Sequence, residues 1–257
     1  MDSQTDTATL DAFHRGRFHL VQPAAKGHRS GIDAMLLAAA VPDGFSGDLA
    51  DLGAGAGAAG FAVASRCPAA RVTLVERAAE MAGYARRSVA LPQNSAYAGR
   101  ISVIEADVAL SGKARVAAGL ADRAYDFVIM NPPFNDARDR TTPHALKREA
   151  HVMEDGMFER WIKTAAAIAR PSAGLAIIAR AGSLEEILRA LGGRFGSIAI
   201  LPIHPREGEA AIRIVVRAVK GSRGGPRILP GLILHGDSGY RAPAEAVING
   251  QASLFGD

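Results

Sequence analysis

From about Gly47 onward, short apolar runs alternate with longer stretches in which apolar positions recur every three or four residues. Runs that are apolar almost throughout read as strands buried on both faces of a parallel sheet, and the periodic stretches as the helices crossing between them. The pattern predicts strands at Asp48–Leu52, Arg71–Glu76, Ile101–Ala106, Tyr125–Met130, Gly174–Arg180, Ser197–Ile203 and Ala211–Val219. It predicts helices at Gly57–Arg66, Ala78–Leu91, His144–Ala169 (continuous or broken) and Leu184–Leu191. Pro68, Pro92 and Pro171 stand where a helix should already have stopped. No helical pattern separates the last two strands. Polar HPREGE, His204 to Glu209, joins them as an antiparallel hairpin.

Ahead of this alternation, Phe13 to Pro42 holds a basic, glycine-containing segment and then an apolar helix, Ile32 to Ala40, with Asp33 near its start. The opening MDSQTDTATLDAF is polar and acidic, which is not a secretory signal, and its first dozen residues are expected to fray. Beyond KGSRGGPR, Lys220 to Arg227, the tail carries too little apolar material to fold alone. The expectation is one domain over residues 1–257: an extension at 1–46 contributing to the site, a core at 47–220, and a C-terminal extension, 221–257, packed on that core.

Composition changes this picture little. With 48% hydrophobic and 5% aromatic residues, the core must be built from Ala, Val, Leu and Ile. A formal charge of +4 favours polyanionic partners only modestly. Cys67, the single cysteine, excludes an intrachain disulfide and suits a reducing cytoplasm. No run approaches the ~20 apolar residues of a membrane span. The seven histidines show no tight ligand spacing, so no metal is expected. Oligomeric state is not fixed by the sequence.

Candidate chemistry begins with LADLGAGAGAAGFAVASRCP, Leu49 to Pro68. A glycine-rich turn between strand and helix exposes backbone N–H groups and lets a ligand approach closely. Gly55 to Gly60 spells the G-x-G-x-x-G dinucleotide fingerprint, and Glu76 ends the second strand where an acid would take ribose hydroxyls. A tight turn without a ligand is the plain alternative. Asp51 weighs against the dinucleotide, because a carboxylate just before the turn repels pyrophosphate and suits a cationic ligand.

The fourth strand runs directly into NPPF, Asn131-Pro132-Pro133-Phe134. Two consecutive prolines cannot continue a strand, so the chain enters a rigid extended turn. This tetrapeptide matches the (N/D)PP(Y/F/W) motif of methyltransferases that modify nitrogen in planar conjugated systems. D-L-G-A-G-A-G likewise resembles motif I of class I AdoMet-dependent methyltransferases.

FHLVQPAAKGHRSGIDAMLLAAAV resembles the N-terminal signature of the bacterial small-domain methyltransferases grouped with the tRNA(Val) adenine-N6 enzymes. Gln22, Gly27, Arg29, Asp33, Leu36 and Leu37 match, while His28 replaces the usual aromatic. REGEAAIRIVVRAVKG and LILHGDSGYRAPAEAVI resemble the closing hairpin and tail of the same family, so the resemblance covers nearly the whole chain.

The resemblance implies an α/β, Rossmann-like class I sheet, mostly parallel with a C-terminal antiparallel hairpin, and S-adenosyl-L-methionine (AdoMet) as cofactor. On matching positions it implies Asp51, Gly53, Gly55 and Gly57 as the cofactor loop and Glu76 as the ribose contact. Asp107 would take the adenine amino group with Val108 on the ring, and Asn131 to Phe134 would form the transfer motif, Asn131 also bordering the cofactor. An exocyclic amine is a poor nucleophile because its lone pair is delocalised. The Asn131 carboxamide oxygen and the Pro132 carbonyl can accept both N–H bonds and favour a pyramidal nitrogen, with no histidine base required. Phe134 can stack on the base, worth roughly 1–3 kcal/mol.

The expected acceptor is adenine N6 in tRNA, in the cytoplasm. Guanine-N2 rRNA and protein glutamine enzymes use similar motifs; the ~45 residues before motif I and the missing duplicate domain argue against both. Other classes are a non-catalytic AdoMet-binding RNA module and an NAD-dependent oxidoreductase. Candidates for RNA phosphate are Arg15, Arg17, Lys26, His28 and Arg29, with Arg138, Arg140, Lys147 and Arg148 after NPPF.

Overall fold

The computed structural model of the chain describes residues 8–24, 31–133 and 156–257. It opens with an antiparallel hairpin, β1 (Ala8–Phe13) and β2 (Phe18–Pro23), so the expectation of fraying is wrong from Ala8 onward. The hairpin is held by side chains far along the chain. The Ser88 hydroxyl accepts the Val21 N–H at 2.9 Å, and the Asn94 carboxamide accepts the His19 N–H and donates to its carbonyl.

Helix α1 (Ile32–Ala38) leads into the strand–helix alternation: β3 (Gly47–Leu52), α2 (Ala58–Arg66), β4 (Ala70–Glu76), α3 (Ala79–Val89), a short α4 (Ser95–Ala98), β5 (Ile101–Glu105), α5 (Gly112–Ala117) and β6 (Tyr125–Met130). After the segment 134–155 come α6 (Met157–Ile168), β7 (Ala169–Ala179), α7 (Leu184–Leu191), β8 (Phe195–His204) and β9 (Arg213–Lys220). Short strands β10 (Arg227–Ile228) and β11 (Leu232–Ile233) both pair with β8, and a helix, α8 (Ala242–Ile248), lies near the C-terminus.

All seven long strands predicted from the apolar pattern are present, in the spatial order β5-β4-β3-β6-β7-β9-β8. Strand β9 alone of these seven runs antiparallel to its neighbours, which gives the expected C-terminal hairpin on a parallel sheet. Strand β7 starts earlier than predicted. Its first residues carry Pro171 and Ser172 at φ +64°, and the register against β6 shifts there, so the apolar run resumes only near Gly174.

Alternate residues of each central strand face opposite layers. Leu49, Ile129, Ala176, Ile178 and Val215 join a core with α1, α2 and the tail residues Val247 and Leu254. Ala50, Leu52, Val128, Met130, Leu175 and Ile177 join a second core with Phe158, Ile162 and Ile168 of α6 and Ile187 and Leu191 of α7. The tail is also tied by its backbone, with the Leu254 N–H donating to Ala39. Among the described residues no helix is long and apolar enough to cross a membrane.

Strand β3 lies between β4 on one side and β6 on the other. The chain steps outward from β3 to β5, then returns to the other side of β3. At such a switch point the crossovers diverge and leave a crevice at the carboxyl ends of the strands.

Candidate active site

Gly53 and Asn131 each follow the last residue of adjacent strands, since Leu52 of β3 pairs with Met130 of β6. They therefore flank the switch-point crevice. After β3 the chain turns through Gly53 (φ +72°), Gly55 (φ +57°) and Gly57 (φ +96°), left-handed conformations that L side chains rarely adopt. At Gly53 the need is also one of space: a Cβ there would lie 2.5 Å from Cη2 of Trp161 on α6. Gly60, within α2, keeps helix and sheet in contact; its Cβ would lie 2.3 Å from a methyl of Leu74. The loop is pinned to β4 by the Gly53 and Ala54 N–H groups, which donate to the Val75 carbonyl at 2.9 and 3.0 Å.

Asp51 is only 3% exposed, and its Oδ2 accepts the Gly60 N–H at 2.9 Å. Gly57, the N-cap residue of α2, has no side chain to satisfy the first turn. The carboxyl from β3 supplies that cap from behind the loop. Burial pushes the Asp51 pKa up to about 7; the Gly60 bond opposes the shift and the Glu76 charge adds to it. Sequence spacing places this acid at the strand end but does not reveal that it is enclosed and caps the helix.

Glu76 closes β4 with both oxygens aimed by backbone donors: Oε2 accepts from Gly55 at 2.9 Å and Oε1 from Ala78 at 2.8 Å. Asp107, just beyond β5, accepts from Ala109 at 2.7 Å, and neighbouring Val108 is buried. Each carboxylate oxygen retains a lone pair for a hydroxyl or amino donor. Asp51, Glu76 and Asp107 thus stand at three adjacent strand ends, as the sequence predicts.

On the other side of the crevice Asn131 is half-buried, Pro132 buried and Pro133 exposed. Asn131 Oδ1 is shielded from solvent and has no hydrogen-bond partner among the described residues. A buried acceptor left unpaired costs about 1–3 kcal/mol, and such an atom at a strand end marks where a ligand's donor belongs.

Phe134, Lys26, His28, Arg29, Arg138, Arg140, Lys147 and Arg148 lie outside the described residues. The segments flanking 25–30 are anchored at Val21, packed with Ala56 and Tyr84 beside the glycine loop, and at Asp33, whose Oδ2 accepts from Arg213 at 2.8 Å. Arg15 and Arg17 correct the sequence reading. Their turn packs on Ser65 at the far end of α2 and on Tyr97 ahead of β5, away from the rim, and Arg15 is paired with Glu245. Trp161 and Thr164, both touching the site loops, carry no motif that would have singled them out.

The glycine cradle, three acids at consecutive strand ends and the unpaired acceptor fit AdoMet, which is cationic at sulfonium and ammonium and carries ribose hydroxyls and an adenine amine. They do not fit a pyrophosphate beside Asp51. Fold and site together define a class I methyltransferase, and AdoMet is the cofactor they take. Residues 29–179 match the family model described as methyltransferase small domain. A crystal structure of a predicted O-methyltransferase, protein Atu636 from Agrobacterium tumefaciens, is 46% identical, with a TM-score of 0.76 over 86% of this chain and 98% of that one. The chain belongs to the methyltransferase small-domain family.

Two more distant structures share the fold. One is a putative transferase, PH0793, from Pyrococcus horikoshii (TM-score 0.58, 15% identity, 85% of this chain and 74% of that one). The other is M. jannaschii TYW2 in complex with AdoMet (TM-score 0.57, 11% identity, 86% of this chain and 89% of that one). No curated protein matches the chain.

Proposed function

We propose that this methyltransferase acts on nitrogen, with adenine N6 in tRNA as the acceptor. The observation that carries this reading is the buried, unpartnered Oδ1 of Asn131 beside Pro132 at the switch-point crevice. Asn131 Oδ1 and the Pro132 carbonyl form two acceptors set by a rigid turn, the number an amino group needs and one more than a hydroxyl can use. When bound, AdoMet supplies an electrophilic methyl group. Asn131 and Pro132 hold the acceptor nitrogen pyramidal in line with it, Pro133 stiffens the turn and Phe134 stacks on the base. Asp51, Gly53, Gly55 and Gly57 shape the cofactor loop, Glu76 takes the ribose hydroxyls, and Asp107 with Val108 takes the adenine.

RNA would be held by Lys26, His28, Arg29, Arg138, Arg140, Lys147 and Arg148, within one domain of a cytoplasmic protein. A stacked base would have to be flipped to reach the crevice. The predicted O-methyltransferase description of the A. tumefaciens protein favours a second reading, an oxygen acceptor. Methyl transfer from labelled AdoMet onto unmodified total RNA, followed by nucleoside analysis, separates the two. N6-methyladenosine in the tRNA fraction is the expected product. Label in N2-methylguanosine, in protein or in an O-methylated product would overturn the assignment.

A further inference from the structure

Helix α6 presents two side chains, one turn apart on the same side, to two different loops of the crevice. The benzenoid edge of Trp161 fills the space where a Gly53 Cβ would sit. Three residues on, the buried Thr164 hydroxyl donates to the Val108 carbonyl at 2.7 Å, with the Leu110 carbonyl at 3.3 Å. A threonine inside a helix ordinarily returns its hydroxyl to a carbonyl of its own preceding turn. Here the bond leaves the helix and ties down the loop that follows β5. The remaining inward residues of α6, Phe158, Ile162, Ala165 and Ile168, already supply its packing on the sheet.

We propose that α6 couples the two halves of the cofactor crevice: Trp161 sets the glycine loop, Thr164 sets the Asp107–Leu110 loop, and AdoMet affinity is controlled from this one helix. Trp161 and Thr164 are positioning residues, and the inference rests on the AdoMet reading of those loops. A shift of α6 by a fraction of an ångström would move both loops together, because each is held to it by contact or by a short hydrogen bond.

Calorimetric titration of the full chain with AdoMet tests this, alongside the emission of Trp161, the only tryptophan in the sequence. Wild type should bind, and Trp161 emission should change on binding. T164V should weaken AdoMet about threefold to tenfold, the worth of one hydrogen bond, with kcat at saturating AdoMet unchanged. T164S, which keeps the hydroxyl, should restore the affinity. If T164V does not fold, W161F serves in its place, with the same split expected between Kd and kcat. A lowered unfolding temperature with unaltered AdoMet affinity would overturn the coupling while leaving the cofactor reading intact. Failure of wild type to bind AdoMet would overturn both.

Discussion

Strands β3 and β6 each carry polar side chains at both ends, and the two ends of the sheet treat them in opposite ways. At the amino ends, Asp48 accepts from Arg71 at 2.7 Å and from Arg170 at 3.3 Å, and Asp126 is also paired with Arg170. At the carboxyl ends, Asp51, Glu76 and Asp107 take only backbone N–H groups among the described residues, and Asn131 Oδ1 takes nothing. One end has neutralised its charges internally; the other holds acceptors in fixed directions with capacity to spare. The capping bonds of Asp51 and Glu76 serve the fold. The spare lone pairs and the orphaned Asn131 Oδ1 add nothing to stability, so the difference locates the work of the protein. Substitutions at the two ends of the sheet can therefore separate catalysis from stability.

The largest effect is expected at Asn131. Asn131→Ala should lower single-turnover methyl transfer by roughly 100-fold to 1000-fold, as for removal of a preorganised group that acts in the transition state. AdoMet affinity should barely move, and the unfolding temperature should not fall, because the change also removes an orphaned acceptor. Asn131→Asp keeps the acceptor oxygens and should retain partial activity. Wild-type rates in the alanine variant would place the chemistry elsewhere. Gly53→Ala comes next, since it combines a strained φ with a steric clash against Trp161. A loss of about 1–3 kcal/mol in stability and weaker AdoMet binding are expected by denaturant titration and calorimetry; the double variant with Trp161→Ala should recover only the steric part.

A pH profile probes the carboxyl end without changing its shape. The Asp51 pKa is raised to about 7, whereas a cationic ligand favours the carboxylate. Below that pKa, binding must release a proton, so AdoMet affinity should rise by about tenfold from pH 6 to pH 8 and flatten above neutrality. Stability of the free protein runs the other way. The folded state holds the Asp51 proton more tightly than the unfolded one, so this contribution is complete below the unfolded pKa and is lost as pH rises toward 7. Asp51→Asn should remove both slopes. A calorimetric pH series showing the same rise in that variant would exclude Asp51 as its source.

What could be read without coordinates followed burial. Strands β3, β6 and β7 are buried on both faces over most of their length and spell near-continuous apolar runs. The outer strands, though partly exposed, keep enough apolar residues between turn signals. All seven were legible, as were the acids and the Asn-Pro-Pro turn at their ends. Strand β1 has one covered face, with Leu10 pointing outward at 52% exposure, and its hairpin with β2 reverses through His14, Arg15 and Gly16, all at positive φ. In β1 the apolar Leu10 and Ala12 face outward while polar Thr9 and Asp11 face inward, the reverse of the alternation that marks a strand. The roles of Asp51, Trp161 and Thr164 were illegible for a different reason. Each depends on a partner brought close only by the fold: a helix N–H, a missing Cβ and a loop carbonyl.

The smallest effect is expected at the amino ends, and it completes the contrast. Arg170 bridges Asp48 and Asp126 but is itself 40% exposed, so solvent screens the pairs. Arg170→Ala should lower the unfolding temperature only slightly, and added salt should shrink the difference further. Part of that cost comes from the two carboxylates left facing one another, since Asp126 Oδ2 also accepts the Asp48 N–H at 2.9 Å and cannot turn away freely. Methyl transfer at saturating AdoMet should be unaffected. A loss of turnover that exceeds the loss of folded protein would mean that the two ends of β3 and β6 are mechanically linked, and the division between a closed end and a working end would have to be abandoned.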